Sequence, residues 1–209
     1  MSKNTSTLST DHQALIAQGI VNAPDSAKGR LLQAAATLFK EKGYERTTVR
    51  DLGKAVGIQS GSLFHHYPNK EAILRAVMEE TIILNTELMK AALAQTTKSE
   101  DKVLALIRCE LESVLGETGA AMTVLVYEWR SLKEESQRDI LKLRDIYENL
   151  WVSTLTEAKE DGLVIIDPAV LRRLLTGALS WTVNWYRQDG DLTVEQLAQM
   201  ALSLAIKPS

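Results

Sequence analysis

The sequence predicts an all-α protein of about nine helices, with a three-helix unit near the N-terminus and a larger helical domain after it. Apolar residues recur at the helical period of about 3.6 residues along most of the 209-residue chain. Capping residues, glycines and prolines divide these periodic stretches into helix-sized segments. The apolar run "LVII" at 163–166 is too short to start a sheet. Because 45% of the residues are apolar and 24% are charged, a substantial core is expected.

The segment 1–24 is rich in serine and threonine and is predicted to be a flexible tail. Four apolar residues within it could form a short helical stub: Leu15, Ile16, Ile20 and Val21. Asp25 or Ser26 can then cap the first helix of the three-helix unit, which runs through "AKGRLLQAAATLFKEKGY". Gly43 supplies the left-handed residue that ends this helix.

The next stretch, "TTVRDLGKAVGIQSGSLFHHY", predicts two short helices joined by a turn. Thr48 begins the first, with a carboxylate three residues later in a variant of the capping box. Gly57 ends it, and Ser60 can cap a second helix through Tyr67. Two short helices joined by a glycine-containing turn describe a helix-turn-helix, which we assign to residues 25–70.

The remainder, 71–209, is predicted to be a second helical domain. Asn69 can cap a long helix, and Pro168 suits the first position of a later one. The predicted helices are 70–94, 100–116, 120–132, 134–161, 168–188 and 193–206.

Charge favours DNA as the partner of the helix-turn-helix. The stretch from Ala27 to Arg75 holds nine basic and four acidic residues, although the whole chain carries a net charge of −3. A helix fits the major groove of B-DNA, where its first residues reach base edges and flanking donors reach phosphates. The expected base-reading residues are Gln59, Ser60, Ser62 and His65. The expected phosphate contacts are Thr47, Thr48, His66, Tyr67 and Lys70. The alternative is that the two short helices only pack within an all-α domain.

The stretch "AAATLFKEKGYERTTVRDLGKAVGIQSGSLFHHYPNKEAIL" resembles the DNA-binding domain of the tetracycline-repressor-like (TetR) family of bacterial transcription regulators. The resemblance implies three N-terminal helices for DNA and a variable C-terminal domain for dimerisation and ligand binding. It also implies a repressor that an effector releases from a palindromic operator. One residue departs from the family: Phe64 stands where a tyrosine hydroxyl commonly contacts a phosphate.

Two later stretches, "YEWRSLKEESQRDILKLRDIYENLW" and "RRLLTGALSWTVNWYRQDGDLTVEQLAQMALSL", resemble regulators of fatty-acid or acyl-CoA catabolism. This resemblance implies an acyl-CoA or another bulky hydrophobic effector. The alternative is a multidrug or aromatic-compound sensor that controls an efflux pump. The candidate effector contacts are Met122, Val126, Tyr127, Arg130, Arg144, Tyr147, Trp151 and Trp181. Equally, the aromatics could be ordinary core, with the arginines paired to Glu128, Asp145 or Glu148.

The last two predicted helices carry apolar stripes that the family resemblance implies pack against a second subunit. The candidate dimer contacts are Leu171, Leu174, Ala178, Trp185, Leu197, Met200 and Leu204. Two recognition helices roughly 34 Å apart in such a dimer would read a palindrome. Purely intramolecular packing is the alternative.

Other function classes find little support. Adjacent helical residues point about 100° apart, so His65 and His66 cannot chelate one metal ion together. The chain shows no Glu-x-x-His pair, nucleophile elbow or phosphate-binding glycine loop, so neither an enzyme nor a cofactor is expected. Cys109, the single cysteine, precludes an intrachain disulfide, and no signal peptide or membrane-length apolar run is seen. We therefore expect a cytoplasmic protein with no membrane contact; a helical protein that does not bind DNA, or an enzyme, is the remote alternative.

Overall fold

The computed structural model describes residues 10–207. Within them the chain forms ten α-helices and two short 3-10 helices, Trp129–Ser131 and Thr182–Asn184, with no strand, which confirms the all-α class. The helices are α1 (Thr10–Ala17), α2 (Ala27–Lys42), α3 (Val49–Val56), α4 (Ser60–Leu63), α5 (Lys70–Ala94), α6 (Ser99–Leu115), α7 (Gly119–Tyr127), α8 (Glu134–Glu160), α9 (Pro168–Trp181) and α10 (Val194–Ala205).

Residues 10–24 differ from the flexible tail expected of them, because they hold a helix packed on α5. Leu15 of α1 and Val21, just beyond it, are buried in a small cluster with Leu84. The backbone N–H of Asn22 donates to the carboxylate of Glu80 over 3.1 Å. The tail is ordered here by an apolar face on a distant helix, which local sequence does not reveal. The remaining tail residues, 1–9, lie outside the described part of the chain.

Caps visible in the sequence begin α2 and α3. Ser26 accepts the N–H of Gly29, and Thr48 and Asp51 form a complete capping box. Gly57 adopts a left-handed conformation at φ 74° after α3. A Cβ at Gly53 would lie 2.8 Å from the carbonyl oxygen of Ile58, so glycine lets the turn fold closely onto α3.

Helix α4, the second helix of the helix-turn-helix and the predicted recognition helix, is shorter than the sequence predicted. Gln59, and not Ser60, occupies its N-cap position, and it makes no side-chain capping bond. The α-helix ends at Leu63, and the N–H of His66 then bonds to the carbonyl of Leu63 over 2.9 Å, a tighter three-residue turn. The absence of a cap, the low helix propensity of Gly61 and the constraint of Pro68 on the residue before it all oppose a longer helix.

The core is continuous from α2 to α10, with Phe39, Leu74, Ile107 and Trp151 among its fully buried members. Helix α5 begins at the helix-turn-helix and packs against α6, α7 and α8. It therefore belongs to both parts of the molecule, and the boundary at residue 70 remains a prediction. No helix between residues 10 and 207 is long and apolar enough to cross a membrane.

Candidate functional site

The helix-turn-helix presents a mixed polar and aromatic surface. Gln59, Ser62 and His65 are exposed, as the predicted base contacts require, whereas Ser60 is half-buried. His66 and Tyr67 are also half-buried, and Tyr67 packs against the core. The direct base-contact assignments remain predictions.

Thr47, expected to contact a phosphate, has no exposed surface. Its hydroxyl lies 2.9 Å from the carbonyl oxygen of Gly43 and 3.2 Å from that of Leu38. The expectation for Thr47 is wrong because the hydroxyl closes the connection between α2 and α3. Thr48 is exposed, but its hydroxyl is engaged with Asp51 in the capping box, and these bonds lower the pKa of Asp51.

The ammonium of Lys70 also faces inward. It donates to the carbonyls of Tyr44 (2.9 Å) and Thr47 (3.0 Å) and lies 4.1 Å from the centre of the Tyr44 ring. The side chain thus fastens the start of α5 to the α2–α3 connection, and its expected role as a phosphate ligand is wrong in this arrangement. Asn69 caps α5 as predicted, so the first backbone amides of that helix remain suited to a phosphate.

Three exposed residues outside the predicted set are further candidates for DNA contact. Arg50 and Lys54 lie one helical turn apart on α3, beside the recognition helix. Phe64 is 51% exposed, so an apolar ring points outward where the family resemblance implies a hydroxyl. An exposed aromatic ring can contact the methyl group of thymine. The positive charges of α3 were a visible signal, whereas the exposure of Phe64 was not.

A cavity of about 340 Å³ lies among α5, α6, α7, α8 and α9. Four of the expected effector contacts line it: Met122, Val126, Arg144 and Tyr147. It is the natural candidate for the effector site because polar groups converge on an otherwise apolar wall. A smaller cavity of about 180 Å³ lies between α1, α2, α5 and α7.

The other four expected contacts do not line this cavity. Tyr127 and Trp181 are 69% and 62% exposed, and Arg130 is exposed on the short 3-10 helix after α7. Trp151 is fully buried, and its ring N–H donates to Glu110. Tyr127 follows the cavity residue Val126 by one position, which rotates its side chain about 100° around the helix and away from the cavity.

The arginines do not form the ion pairs that the core alternative implied. The guanidinium of Arg144 lies 5.8 Å from the centre of the Trp129 ring, within range of a cation–π contact. Because Arg144 is exposed and also lines the cavity, it lies at the opening. Glu148 instead pairs with Arg172, a residue that was not among the candidates.

Arg172 and Glu110 form the centre of a buried polar cluster in the cavity wall. Two bonds, of 2.8 and 3.0 Å, run from Arg172 to the carboxylate of Glu148. The hydroxyl of Tyr147 and the ring N–H of Trp151 both donate to one oxygen of Glu110. That oxygen lies 3.6 Å from Nη1 of Arg172, and the guanidinium stacks 4.5 Å from the Trp151 ring centre.

The cluster raises the pKa values of two of its members, Tyr147 and Arg172. Burial and then the nearby Glu110 raise the pKa of Tyr147 well above its usual value. Burial acts to lower the pKa of Arg172, but Glu110 and Glu148 outweigh it, so the pKa rises. The sequence did carry a signal for the cluster: Glu110 and Arg172 interrupt apolar stripes, and a charged residue at a core position usually has a partner.

Two known protein-family domains match this chain. Residues 96–208 match the family described as "Tetracyclin repressor-like, C-terminal domain", and residues 31–77 match "Bacterial regulatory proteins, tetR family". The first match alone covers more than half of the chain.

The chain belongs to the TetR family.

Similar proteins agree with this membership. The transcriptional repressor KstR2 of Rhodococcus jostii is 32% identical over 84% of this chain and 87% of its own length. The fatty acid metabolism regulator protein of Bacillus subtilis is 23% identical over 85% and 92%. A crystal structure described as that of superantigen pfit is 52% identical, covers 95% of this chain and 98% of its own, and superposes with a TM-score of 0.82. As a TetR-family member the chain is a DNA-binding transcriptional regulator and not an enzyme.

In the TetR family a dimer is typical, and α9 and α10 offer an apolar face for one. Of the expected contacts, Ala178 is exposed, as are four larger apolar residues: Leu174 (61%), Trp185 (50%), Met200 (57%) and Leu204 (85%). Leu171 and Leu197 are buried within the chain, so their assignment to an interface is wrong. Trp181, which was expected to be an effector contact, is also exposed on this face.

Proposed function

We propose that this TetR-family regulator is a repressor that binds a palindromic operator as a homodimer. A hydrophobic effector, an acyl-CoA or fatty-acid-like compound, releases it on entering the C-terminal cavity. The observation that carries this proposal is the placement of the cavity against α5 and α7. Ile82 and Asn85 of α5 line the cavity, while Lys70 at the start of α5 holds the helix-turn-helix connection.

A ligand shifts a conformational equilibrium only by its differential affinity for the two states. Occupation of the cavity would favour one position of α5 and α7, and both helices contact α2 of the helix-turn-helix. A small rotation of α5 then changes the spacing of the two recognition helices in a dimer. Operator affinity falls as a result, because both half-sites cannot be engaged together.

The nature of the effector is inferred from three features. The cavity wall is mainly apolar, Arg144 at its opening suits a phosphate group, and a relative is named for fatty acid metabolism. A multidrug or aromatic-compound sensor of an efflux pump remains the alternative. Since a DNA-binding regulator acts where its operator lies, we place the protein in the cytoplasm.

Operator binding and release test the proposal together. Fluorescence anisotropy with the DNA upstream of the protein's own gene is expected to show binding that falls as acyl-CoAs are added. Gly177→Leu provides the cavity control, because Gly177 lines the cavity and a Cβ there meets nothing within 4 Å. This variant should bind the operator and fail to respond. Release by aromatic drugs but by no acyl compound would favour the efflux reading.

Dimerisation is tested separately at the most exposed residue of the apolar face. Leu204→Arg places a charge on this face and is expected to give a monomer by light scattering, with operator affinity at least about tenfold weaker. Glu135→Arg, at the exposed start of α8, serves as the matched control and should remain a dimer. A dimeric Leu204→Arg protein would move the interface elsewhere.

One comparison favours a second activity. The 52% identity with superantigen pfit covers nearly the whole chain, so we propose stimulation of T cells as a second candidate function. Endotoxin-free protein should then stimulate T-cell proliferation, and Lys54→Ala, altered only on the DNA side, should do so equally. No stimulation above a heat-denatured sample would remove this candidate and leave the regulator untouched.

A further inference from the structure

We propose that the cavity selects effectors by a neutral carbonyl oxygen, which accepts a hydrogen bond from Nη1 of Arg172, and that it rejects free carboxylates. The proposal rests on the proposed function, since it takes the cavity as the effector site. It narrows the effector from acyl compounds in general to acyl thioesters and related carbonyl compounds.

The first support is that Arg172 has a buried hydrogen-bond donor without an acceptor. Arg172 lines the cavity with its side chain 3% exposed. Among the described residues, its Nη1 is the buried side-chain atom that lacks a hydrogen-bond partner. Buried polar atoms are nearly always paired, and an unpaired donor costs free energy. An acceptor brought by a ligand would remove that cost, so the empty protein is already shaped to receive one.

The second support is the charge around this donor. Arg172 bonds to Glu148 on one side and faces Glu110 at 3.6 Å on the other. The single positive charge of Arg172 is thus already shared between two carboxylates. A ligand carboxylate at Nη1 would add a third negative charge within a few ångströms of both, which a partly buried site opposes strongly. A ketone or thioester oxygen supplies the acceptor without the charge.

A second hydrogen-bond donor in the cavity wall, the side-chain amide of Asn85, has only a weak acceptor. The amide nitrogen of Asn85 contacts the sulfur of Met122 at 3.1 Å, and a thioether is a poor acceptor. Asn85 is 4% exposed and lines the same cavity. A carbonyl compound could therefore draw this amide from the sulfur, which adds a further preference for oxygen acceptors without charge.

The cavity's size and opening complete the ligand class. At about 340 Å³ the space lies near the lower end of the range of about 300–1,000 Å³ for small-molecule sites, which favours a compact acyl group. Arg144 at the opening can meet negative charge outside the buried region. A short or medium acyl-CoA fits this arrangement, with the thioester carbonyl inside the cavity and the phosphates of coenzyme A outside it.

The test compares matched probes on the full-length protein by calorimetry. The probes are hexanoyl-CoA, the uncharged thioester S-hexanoyl-N-acetylcysteamine, hexanoate and coenzyme A alone. Both thioesters are expected to bind, and hexanoate at least about a hundredfold more weakly than S-hexanoyl-N-acetylcysteamine. Equal affinity for hexanoate and the uncharged thioester overturns the carbonyl selection and leaves the proposed function standing. Binding of no acyl probe at several chain lengths defeats both.

Substitutions test whether Arg172 and Glu148 cause the preference for a neutral carbonyl. Arg172→Gln should weaken thioester binding at least about tenfold, since the donor fork is lost, while Arg173→Gln, an exposed neighbour on α9, should not. Because Arg172→Gln can also destabilise the fold, Glu148→Gln provides a second readout. Because Glu148→Gln removes one negative charge from the cavity wall, it should raise the affinity for hexanoate about tenfold and change the affinity for the thioesters little. Unchanged hexanoate affinity in Glu148→Gln contradicts the electrostatic account.

Discussion

The carboxylate of Glu128 accepts the backbone N–H of Tyr44 over 3.0 Å, a bond between residues 84 positions apart. Glu128 directly follows α7, which lines the proposed effector cavity, and Tyr44 follows α2 of the helix-turn-helix. The carbonyl of Tyr44 in turn accepts the ammonium of Lys70. A displacement of α7 would therefore reach the DNA-binding unit through Glu128.

Glu128→Ala is expected to uncouple effector binding from operator release. The substitution leaves the Tyr44 N–H without this acceptor, while the cavity residues are untouched. We expect effector affinity to change less than about twofold and the ratio of operator affinities without and with effector to fall at least fivefold, about 1 kcal/mol of coupling. Anisotropy titrations with and without saturating effector give this ratio.

The control for Glu128→Ala is Glu134→Ala, an exposed carboxylate at the start of α8. It should retain the full ratio. An unaltered ratio in Glu128→Ala would show that coupling passes through α5 alone.

Lys70→Ala and Lys54→Ala should differ in their effects on stability and on the salt dependence of DNA binding. Lys70 is bound to backbone carbonyls, so its loss should lower the free energy of unfolding by about 1–3 kcal/mol and leave the salt dependence of DNA binding unchanged. Lys54 is exposed on α3, and losing one phosphate contact there should reduce the slope of log affinity against log salt by about one.

Denaturant melts and salt titrations of both variants separate these roles. If Lys70→Ala lowers the salt slope and melts like the parent, its side chain leaves the Tyr44 and Thr47 carbonyls to bind DNA.

Helices were predictable from the sequence because periodicity and caps are local properties. Ser26, Thr48 and Asn69 all cap helices where the pattern indicated. Side-chain roles set by tertiary contacts were not predictable in the same way. Threonine is a polar residue that commonly lies on the surface. The bend between α2 and α3 nevertheless turns the side chain of Thr47 fully inward.

The proposed effector site was predictable only in part, for the same physical reason. Met122 and Val126 follow from the apolar pattern of α7, whereas Tyr127, the next residue, points to solvent. A change of one residue rotates a helical side chain by about 100°. The pairing of Glu110 with Arg172 joins separate helices, so no local pattern specifies it.

Phe64→Tyr should strengthen operator binding. The ring is 51% exposed beside the recognition helix, so a hydroxyl can be added without repacking the core. A new phosphate hydrogen bond is worth about 1–1.5 kcal/mol, which corresponds to roughly a five- to tenfold gain in affinity. The gain should appear on operator and unrelated DNA alike, because phosphates carry no sequence information.

Phe64→Leu separates the hydroxyl from the ring in the same anisotropy assay. If the ring contacts a thymine methyl, this variant loses affinity for the operator more than for unrelated DNA. A Phe64→Tyr protein that binds no more tightly than the parent places the ring away from the backbone of the DNA.

Cys109 should be unreactive in the folded protein near neutral pH. Burial, followed by Glu112 and Glu110, raises the pKa of its thiol to about 12. Only the thiolate reacts with disulfide reagents, and at pH 8 about one molecule in ten thousand would carry it. A raised pKa favours the neutral thiol, so the reaction rate should rise about tenfold per pH unit from pH 8 to 11 while the fold persists.

Glu112→Gln tests the electrostatic part of this barrier. It removes a carboxylate that raises the Cys109 pKa and keeps the side chain nearly the same size, so the thiol should react several-fold faster at pH 8. Glu117→Gln, an exposed carboxylate beyond the end of α6, is the matched control and should leave the rate unchanged. A rate in Glu112→Gln equal to that of the parent would mean that reaction proceeds through local unfolding of α6, since charge on the folded helix would then have no effect.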